Sequence, residues 1–346
     1  MTDDADLFRT RTGLEEDGWI LHGNVFERHG NRMLPLYEAK MVDFYNHRAA
    51  DVVKSLTAVN RQNQPRYLST QELQDPDRLA MPLHWIADEG LIRTNRRGKD
   101  VDVPGVSRRL ADVKWERDWL CGWCDVTAST NERTAIPAFV PRAAIGYTFP
   151  VMFPSVDPDF VAALIGVQSS LVFDFVSRQK ISDAHMKIFV WKQLPVPVPA
   201  TFEPHLSFIV PRVLELAYTA YDMTPLARDL GDEGEPFRWD EDRRAQLRAE
   251  LDAFFFRLYG IDDRDDVDYI LETFQSATGG LKHNEIRDHG EYRTKRLVLA
   301  EYDRMATAEA AGVPYESPLT LPPGQGPRHS ARGGASTLSG PRLTER

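Results

Sequence analysis

The stretch Asp157–Pro199 constrains the fold most, because a long apolar segment is followed by a polar segment and then by a proline-rich end. Asp157 is a residue type that caps helices, and Pro158 suits the first helical turn, where its missing N–H costs nothing. Apolar residues then recur at steps of three and four, with a pair of serines in the middle, which predicts a helix buried on most of its surface. The stretch therefore predicts a rigid helix that presents a polar segment, Ser177–Lys187.

The chain beyond this polar segment is predicted to be extended. Ile188, Val190 and their neighbours are typical of a short strand, and Leu194–Pro199 is typical of polyproline II. The helix, the polar loop, the strand and the proline-rich end would form one structural unit.

Length and composition place the chain among ordinary globular proteins. Its 346 residues allow one large domain or two modest ones, and 42% of them are apolar. No apolar run approaches the roughly 18 residues that span a bilayer, and residues 1–30 contain no signal-peptide core. Two cysteines argue against a disulfide scaffold and predict a cytoplasmic protein with no membrane association.

Charge is unevenly distributed along the chain. The net charge is −10, and the block from 228 to 272, with 15 acids and 7 bases, carries most of it. The window from 93 to 109 is the most basic, with six bases and two acids, and its glycines and proline predict a loop. Such a loop is typical either of a solvated surface or of a phosphate contact.

The N-terminal part reads as short strands and turns. His-Gly-Asn occurs twice between Trp19 and Tyr37, and its Gly and Asn suit tight turns, which predicts a three-stranded meander. Residues 61–69 read as a polar linker, and a helix is predicted from Pro82 to Glu89.

Trp115, Trp119 and Trp123 have a four-residue spacing that favours a core-facing helical stripe over a base-stacking platform. Cys121 and Cys124 form a Cys-x-x-Cys, but no second ligand pair accompanies them, so we expect two buried apolar residues and no metal site.

From residue 201 onward the pattern is helical. The predicted helices are Pro211–Tyr221, one capped by Asp240 and ended by Gly260, Arg264–Phe274, and Glu291–Gly312. The prediction is an α+β fold with short strands and a buried helix in residues 1–200, a mainly helical region in 201–312, and a disordered tail in 313–346.

Several stretches together resemble one protein family. They are LPLYEAKMVDFYNHR (34–48), STNERTAIPAFVPRAAIGYTFPVMF (129–153), the stretch 157–199 with its QSS, RQK and LPVPVP, and the C-terminal GEPFRWDEDRRAQLRAELDAFFFRLYG and GEYRTKRLVLAEYDRM. Their content and order resemble the target-recognition region of adenine-specific DNA methyltransferases of type II restriction–modification systems, and of large methylases in anti-phage systems such as DISARM.

The resemblance covers roughly residues 7–320 and only the non-catalytic, C-terminal portion of that family. The family's catalytic half has a glycine-rich loop for S-adenosylmethionine and an Asn-Pro-Pro-Tyr/Phe motif for the flipped adenine, and neither occurs in this sequence. The resemblance therefore implies a DNA-recognition part that is not catalytic alone and needs no cofactor in this chain. S-adenosylmethionine would belong to a catalytic domain on a separate methyltransferase or defence-system subunit, or the chain would be a truncated remnant.

The expected partner is double-stranded DNA, contacted by basic and amide side chains. The predicted contacts are Arg93, Arg96, Arg97, Lys99, Arg108, Arg109, Arg133, Arg178, Gln179, Lys180, His185 and Lys187. For Arg133 a second role is equally open, as the buried partner of a carboxylate such as Glu132.

Two other functions remain open on the sequence. Glu38-Ala39-Lys40 matches half of a metal-dependent nuclease motif, which would require further acids beside it. Alternatively, the acidic helical region would dock onto a partner and make the chain a scaffold subunit of a defence complex that does not bind DNA.

Overall fold

The computed structural model describes residues 6–60, 62–94, 98–182, 184–276 and 279–332. The fold is α+β, as predicted, with short strands in the first half and a helical C-terminal region.

The strands of the described residues lie in the first half of the chain. Their bounds are β1 Ile20–His22, β2 Val25–Arg28, β3 Asn31–Tyr37, β4 Ala50–Lys54, β5 Asn63–Tyr67, β6 Trp85–Ala87, β7 Gly90–Thr94, β8 Asp100–Pro104, β9 Trp119–Trp123, β10 Pro137–Pro141, β11 Ala144–Ile145 and β12 Val151–Met152. The helices are α1 Arg11–Glu16, α2 Thr70–Leu73, α3 Val106–Asp112, α4 Pro158–Gln168, α5 Leu171–Lys180, α6 Ile188–Trp191, α7 Pro199–Phe202, α8 Leu206–Ala217, α9 Thr224–Asp229, α10 Glu241–Leu258, α11 Arg264–Glu272, α12 Leu281–His289 and α13 Arg293–Ala311.

The predicted meander is confirmed as β1–β2–β3. Gly23 and Gly30 have φ of +61° and +79°, a region that glycine enters without strain, and each lies in one of the two turns. β3 also pairs with β6 in antiparallel and with β11 in parallel orientation, so it is the centre of this sheet.

Three smaller sheets surround it in the described part of the chain. β10–β9–β12 is three-stranded, and β4–β5 and β7–β8 are two-stranded ribbons. The predicted helix at Pro82–Glu89 is wrong, since β6 lies there, and the predicted basic loop at 93–109 is instead the ribbon β7–β8 followed by α3.

The prediction for the three tryptophans is confirmed for their burial and wrong for their secondary structure. Trp115, Trp119 and Trp123 are all buried, as predicted, but the last two begin and end strand β9 and do not lie on a helix. Cys121, in the same strand, and Cys124 are free and buried, and burial raises the pKa of the Cys121 thiol to about 12.

The buried helix is present but broken. α4 ends at Gln168 and α5 begins at Leu171, with a bend of 63° between them. The break follows from local chemistry, because the Ser170 hydroxyl accepts a hydrogen bond from the Phe173 N–H and thereby caps a new helix. Within the described residues, no single helix is long and apolar enough to cross a membrane. The bent pair α4 and α5 reaches that length and apolarity only when the two helices are counted together.

The segment after α5 also differs from the prediction. Ile188 and Val190 were expected in a strand, but they lie in the short helix α6. Trp191, at the end of this helix, stacks on Trp123 with 4.8 Å between ring centroids and nearly parallel planes. This contact with β9 draws the segment onto the body of the protein and favours the helical turn over an extended strand.

The C-terminal helices follow the prediction closely. Asp240 caps α10 by accepting from two backbone N–H groups, and Gly260 follows that helix with φ of +73°. α11 and α13 lie where predicted, whereas α8 begins at Leu206 and contains Pro211 inside it. One buried apolar cluster includes residues from Leu7 to Met305, so the strand-rich and helical regions share a core.

The segment 313–332, expected to be disordered, packs on the helical region. Arg328 pairs with Asp232 at 2.5 Å, and the Gly324 N–H donates to Glu215 at 2.8 Å. Composition missed this because the segment is held by polar contacts with residues remote in sequence. Residues 333–346 lie outside the described part.

Arg48 links the two halves of the chain. Its side chain is fully buried and donates to four backbone carbonyls, those of Leu73, Asp75, Arg78 and Thr219, at 2.5–2.8 Å. Burial lowers the pKa of the Arg48 guanidinium to about 10. Because the fork of donors satisfies carbonyls from both regions at once, Arg48 fixes residues 73–78 against the end of α8.

Replacing Arg48 with lysine should therefore destabilise the protein strongly. An ammonium cannot satisfy all four carbonyls, so we expect Arg48→Lys to lower the free energy of unfolding by roughly 3 kcal/mol. Urea denaturation measures this, with Arg28→Lys on the exposed face of β2 as control. Equal effects of the two substitutions would contradict the assignment.

Asp252 makes the stability depend on pH. The residue lies on α10, is 6% exposed, and accepts from the Leu171 N–H at the start of α5 at 2.7 Å. Burial raises the pKa of its carboxyl from 3.8 to about 6, with Arg133 the largest opposing influence. The folded protein thus holds this proton more tightly than the unfolded chain, and the associated stability is present below pH 4 and lost as pH rises through 6.

Asp252→Asn keeps an oxygen for the Leu171 N–H and removes the titration. The free energy of unfolding of this variant minus that of the wild type should increase by on the order of 2 kcal/mol from pH 4 to pH 7. Urea titrations at several pH values measure both free energies. A difference that stays constant with pH would contradict the raised pKa.

Candidate nucleic-acid interface

An open cleft of about 1290 Å³ lies among the elements that follow β3, β9, β11 and α5. This volume exceeds the usual range for small-molecule pockets. Its lining includes Glu38, Lys40, Asp43, Phe44, Gln62, Asn63, Gln64, Tyr67, His84, Val126, Asn131, Glu132, Arg133, Tyr147, Thr148, Ala184 and His185.

The base of the cleft follows β3. Lys40 lies in a 3₁₀ turn, Ala39–Met41, where its Nζ is 3.2 Å from a Glu38 oxygen and donates to the Asn63 carbonyl at 3.0 Å. Lys40 thereby ties the ribbon β4–β5 to the cleft. The nuclease alternative requires further acids beside this pair, and residues 6–332, as far as the structure describes them, contain no group of three His, Cys, Asp or Glu side chains suited to a metal ion.

Asp174 on α5 organises one wall. It is fully buried and accepts from Arg133 Nε at 2.7 Å, Arg178 Nε at 3.0 Å and the Thr134 N–H at 3.0 Å. Arg133 also donates to the Ser169 carbonyl, between α4 and α5. A buried carboxylate with several charge-assisted hydrogen bonds holds its partners in fixed positions, so the 129–134 turn is locked onto the break between the two helices.

Arg178 completes this lock. It donates to the carbonyls of Ser129, Asn131 and Glu132 at 2.8–3.0 Å, and its guanidinium lies 4.3 Å from the centre of the Phe274 ring. The arginine therefore connects α5, the turn and the end of α11.

Two predicted DNA contacts are thus internal. The side chains of Arg133 and Arg178 are 5% and 6% exposed, and their donors are directed at protein groups. Arg133 has the second of its two predicted roles, with Asp174 as its carboxylate partner in place of Glu132. In this structure both arginines position the cleft wall and offer DNA almost no surface.

Asp125 organises the opposite rim. One of its side-chain oxygens lies 3.1 Å from His185 Nδ1 and 3.2 Å from Lys187 Nζ, and its backbone carbonyl accepts from the Met186 N–H at 2.7 Å. Trp123 Nε1 donates to the Met186 carbonyl at 2.8 Å. The polar turn after α5 is therefore pinned from both sides, with Lys187 exposed and His185 partly exposed.

The remaining predicted contacts lie elsewhere. Gln179 and Lys180 are exposed at the end of α5. In the basic ribbon and the helix after it, Arg93 pairs with Asp6, Arg108 pairs with Asp102, and Arg109 donates to the Pro104 carbonyl; Lys99 is exposed. Arg96 and Arg97 lie outside the described residues. Of the described predicted contacts, Arg133 and His185 line the cleft.

Sequence reasoning missed the amide and tyrosine side chains of the cleft. Gln62, Asn63 and Gln64 come from the segment read as a linker, and Tyr67 and Tyr147 are 72% and 65% exposed. The available signal was the run of three amides, Gln62–Gln64, followed by Tyr67.

The lining contains three carboxyl groups, those of Glu38, Asp43 and Glu132, and two bases, Lys40 and Arg133, so it has no excess of positive charge. Lys40 pairs with Glu38, and Arg133 pairs with Asp174 outside the lining. Burial lowers the pKa of His84. The cleft therefore offers mainly hydrogen-bonding amides and aromatic surface.

No family model, curated protein or solved structure matches this chain.

Asp174→Ala should destabilise the cleft wall formed by α5 and the 129–134 turn. Two buried guanidinium groups would lose their carboxylate, and we expect the free energy of unfolding to fall by roughly 3–5 kcal/mol. The control is Glu132→Ala, whose exposed side chain accepts one hydrogen bond from Asn284 and should cost less than about 1 kcal/mol. Similar costs in urea denaturation would contradict the role assigned to Asp174.

Proposed function

We propose that this chain is the DNA-recognition part of an adenine-specific DNA methyltransferase of a restriction–modification or anti-phage system. It binds double-stranded DNA in the cytoplasm and acts with a separate catalytic subunit. S-adenosylmethionine binds to that subunit, since this sequence has neither a glycine-rich cofactor loop nor an Asn-Pro-Pro motif.

The observation that carries the proposal is the convergence of the resembling stretches. Residues 34–48 are remote in sequence from the neighbouring stretches 129–153 and 157–199, yet all three contribute to the lining of the same cleft. The resemblance is a property of the sequence and the cleft is a property of the fold, so the two observations are independent. Stretches that share a functional surface are expected to meet in space.

The chemistry of the cleft suits base recognition. Glutamine and asparagine amides both donate and accept, as reading of base edges requires, and Gln62 and Asn131 are exposed at the lining. Exposed tyrosines provide stacking surface for an unpaired or displaced base. Lys180, exposed at the end of α5, and Lys187, exposed beside Asp125, are the proposed phosphate contacts.

Tyrosine substitutions test this use of the cleft. Tyr67→Ala and Tyr147→Ala should each weaken binding to a random-sequence duplex pool by roughly tenfold, because base stacking on an aromatic side chain is lost. Tyr269→Ala on α11 is the matched control, since Tyr269 is 66% exposed, as Tyr147 is at 65%, and lies away from the cleft. Fluorescence anisotropy at two salt concentrations measures the affinities.

Wild-type binding should weaken as salt rises, because phosphate contacts release counterions. If the chain, alone and with a catalytic subunit added, shows no salt-sensitive binding to duplex DNA, the proposal fails. Equal losses for Tyr147→Ala and Tyr269→Ala would also contradict it, since binding would not depend on the cleft.

A further inference from the structure

The ribbon β4–β5 pairs with no other strand in the described residues. Its two strands are joined by five residue pairs, from Ala50↔Tyr67 to Lys54↔Asn63. Strands and ribbons enter the major or the minor groove of DNA in several classes of DNA-binding protein.

The root of the ribbon is firmly held. Asp51, with its side chain 8% exposed, accepts from Arg78 at 2.6 Å and from the Met81 N–H at 2.9 Å, and pairs with Arg66. Lys40 holds the other end of the ladder, through the carbonyl of Asn63, which begins β5 beside the connecting loop. The ribbon is therefore held at both ends of its ladder.

The tip is ordered and apolar. Ser55 donates its N–H to the Gln62 carbonyl at 2.7 Å, and its hydroxyl accepts from the Ala58 N–H at 3.1 Å. Leu56 and Val59 are nevertheless 99% and 89% exposed, so the fold makes no use of their side chains. Both are displayed on one short, structured loop.

The charge around this tip suits DNA. From Val52 to Pro65 the sequence has two bases, Lys54 and Arg61, and no acid, within a chain of net charge −10. The same ribbon supplies Gln62 and Gln64 to the cleft lining. Apolar side chains flanked by bases and amides are typical of elements that wedge between base steps.

We propose that the ribbon 50–67 enters a groove of duplex DNA and that Leu56 and Val59 wedge against the base pairs, weakening their stacking beside the cleft. This proposal rests on the proposed function and adds to it a named element and a distortion of the DNA. The amides of the ribbon then face the bases that the tip has loosened.

The test uses a 24-base-pair duplex with and without a central mismatch, bound to the full chain. A mismatch reduces the cost of unstacking, so wild type should bind the mismatched duplex about fivefold more tightly. The double variant Leu56→Ser/Val59→Ser should lose that preference and bind the matched duplex about tenfold more weakly. Ile20→Ser, at an apolar position 63% exposed outside the cleft, is the control and should change neither.

The outcomes separate this proposal from the broader one. If wild type binds duplex DNA with salt sensitivity but the double variant behaves as wild type does, the wedge is overturned and the proposed function stands. If wild type does not bind DNA, both are overturned. If the variant keeps DNA binding and mismatch preference but loses association with a catalytic subunit, the tip is a protein contact and the wedge is likewise overturned. Unchanged thermal unfolding verifies that the variant is folded.

Discussion

The proposed interface depends on the hydrogen bonds and ion pairs that Asp174 makes. Burying a carboxylate and two guanidinium groups is unfavourable unless they are paired and hydrogen-bonded, and here Asp174 pairs with both Arg133 and Arg178 while other donors of the two arginines reach backbone carbonyls. Asp252 and Asp43 add negative charge near Arg133. The arrangement is therefore strict in geometry. It joins the helix break at Ser169 and the 129–134 turn, and the Phe274 ring beside Arg178 extends it to the helical region.

Arg48 and Lys40 extend the same logic to the first of the resembling stretches. One is fully buried and holds backbone from both halves of the protein, and the other connects the base of the cleft to the ribbon β4–β5. Both residues thus serve as internal ties, as Arg133 and Arg178 do. What faces the open cleft has no excess of positive charge, so recognition there would depend on hydrogen-bond pattern and stacking more than on net charge.

Three elements were predicted correctly from local signals. The meander depends on its two glycine turns, α10 depends on the Asp240 cap, and α13 depends on apolar periodicity, all of which act within a few residues. The failures have a common physical cause. The strand at Trp119–Trp123 and the helix at Ile188–Trp191 are decided by packing partners distant in sequence. The internal role of Arg178 likewise depends on carbonyls almost 50 residues earlier in the chain, which no spacing rule reveals.

Hydrogen exchange of the chain with and without excess duplex DNA tests the central claim most directly. The account predicts slower exchange on DNA addition in peptides covering 55–67, 129–136 and 184–187, which are remote in sequence and meet at the cleft. It predicts unchanged exchange across the acidic block 228–272. Protection confined to that block, or no protection anywhere, would contradict the claim that the cleft and the ribbon β4–β5 form one DNA-binding surface.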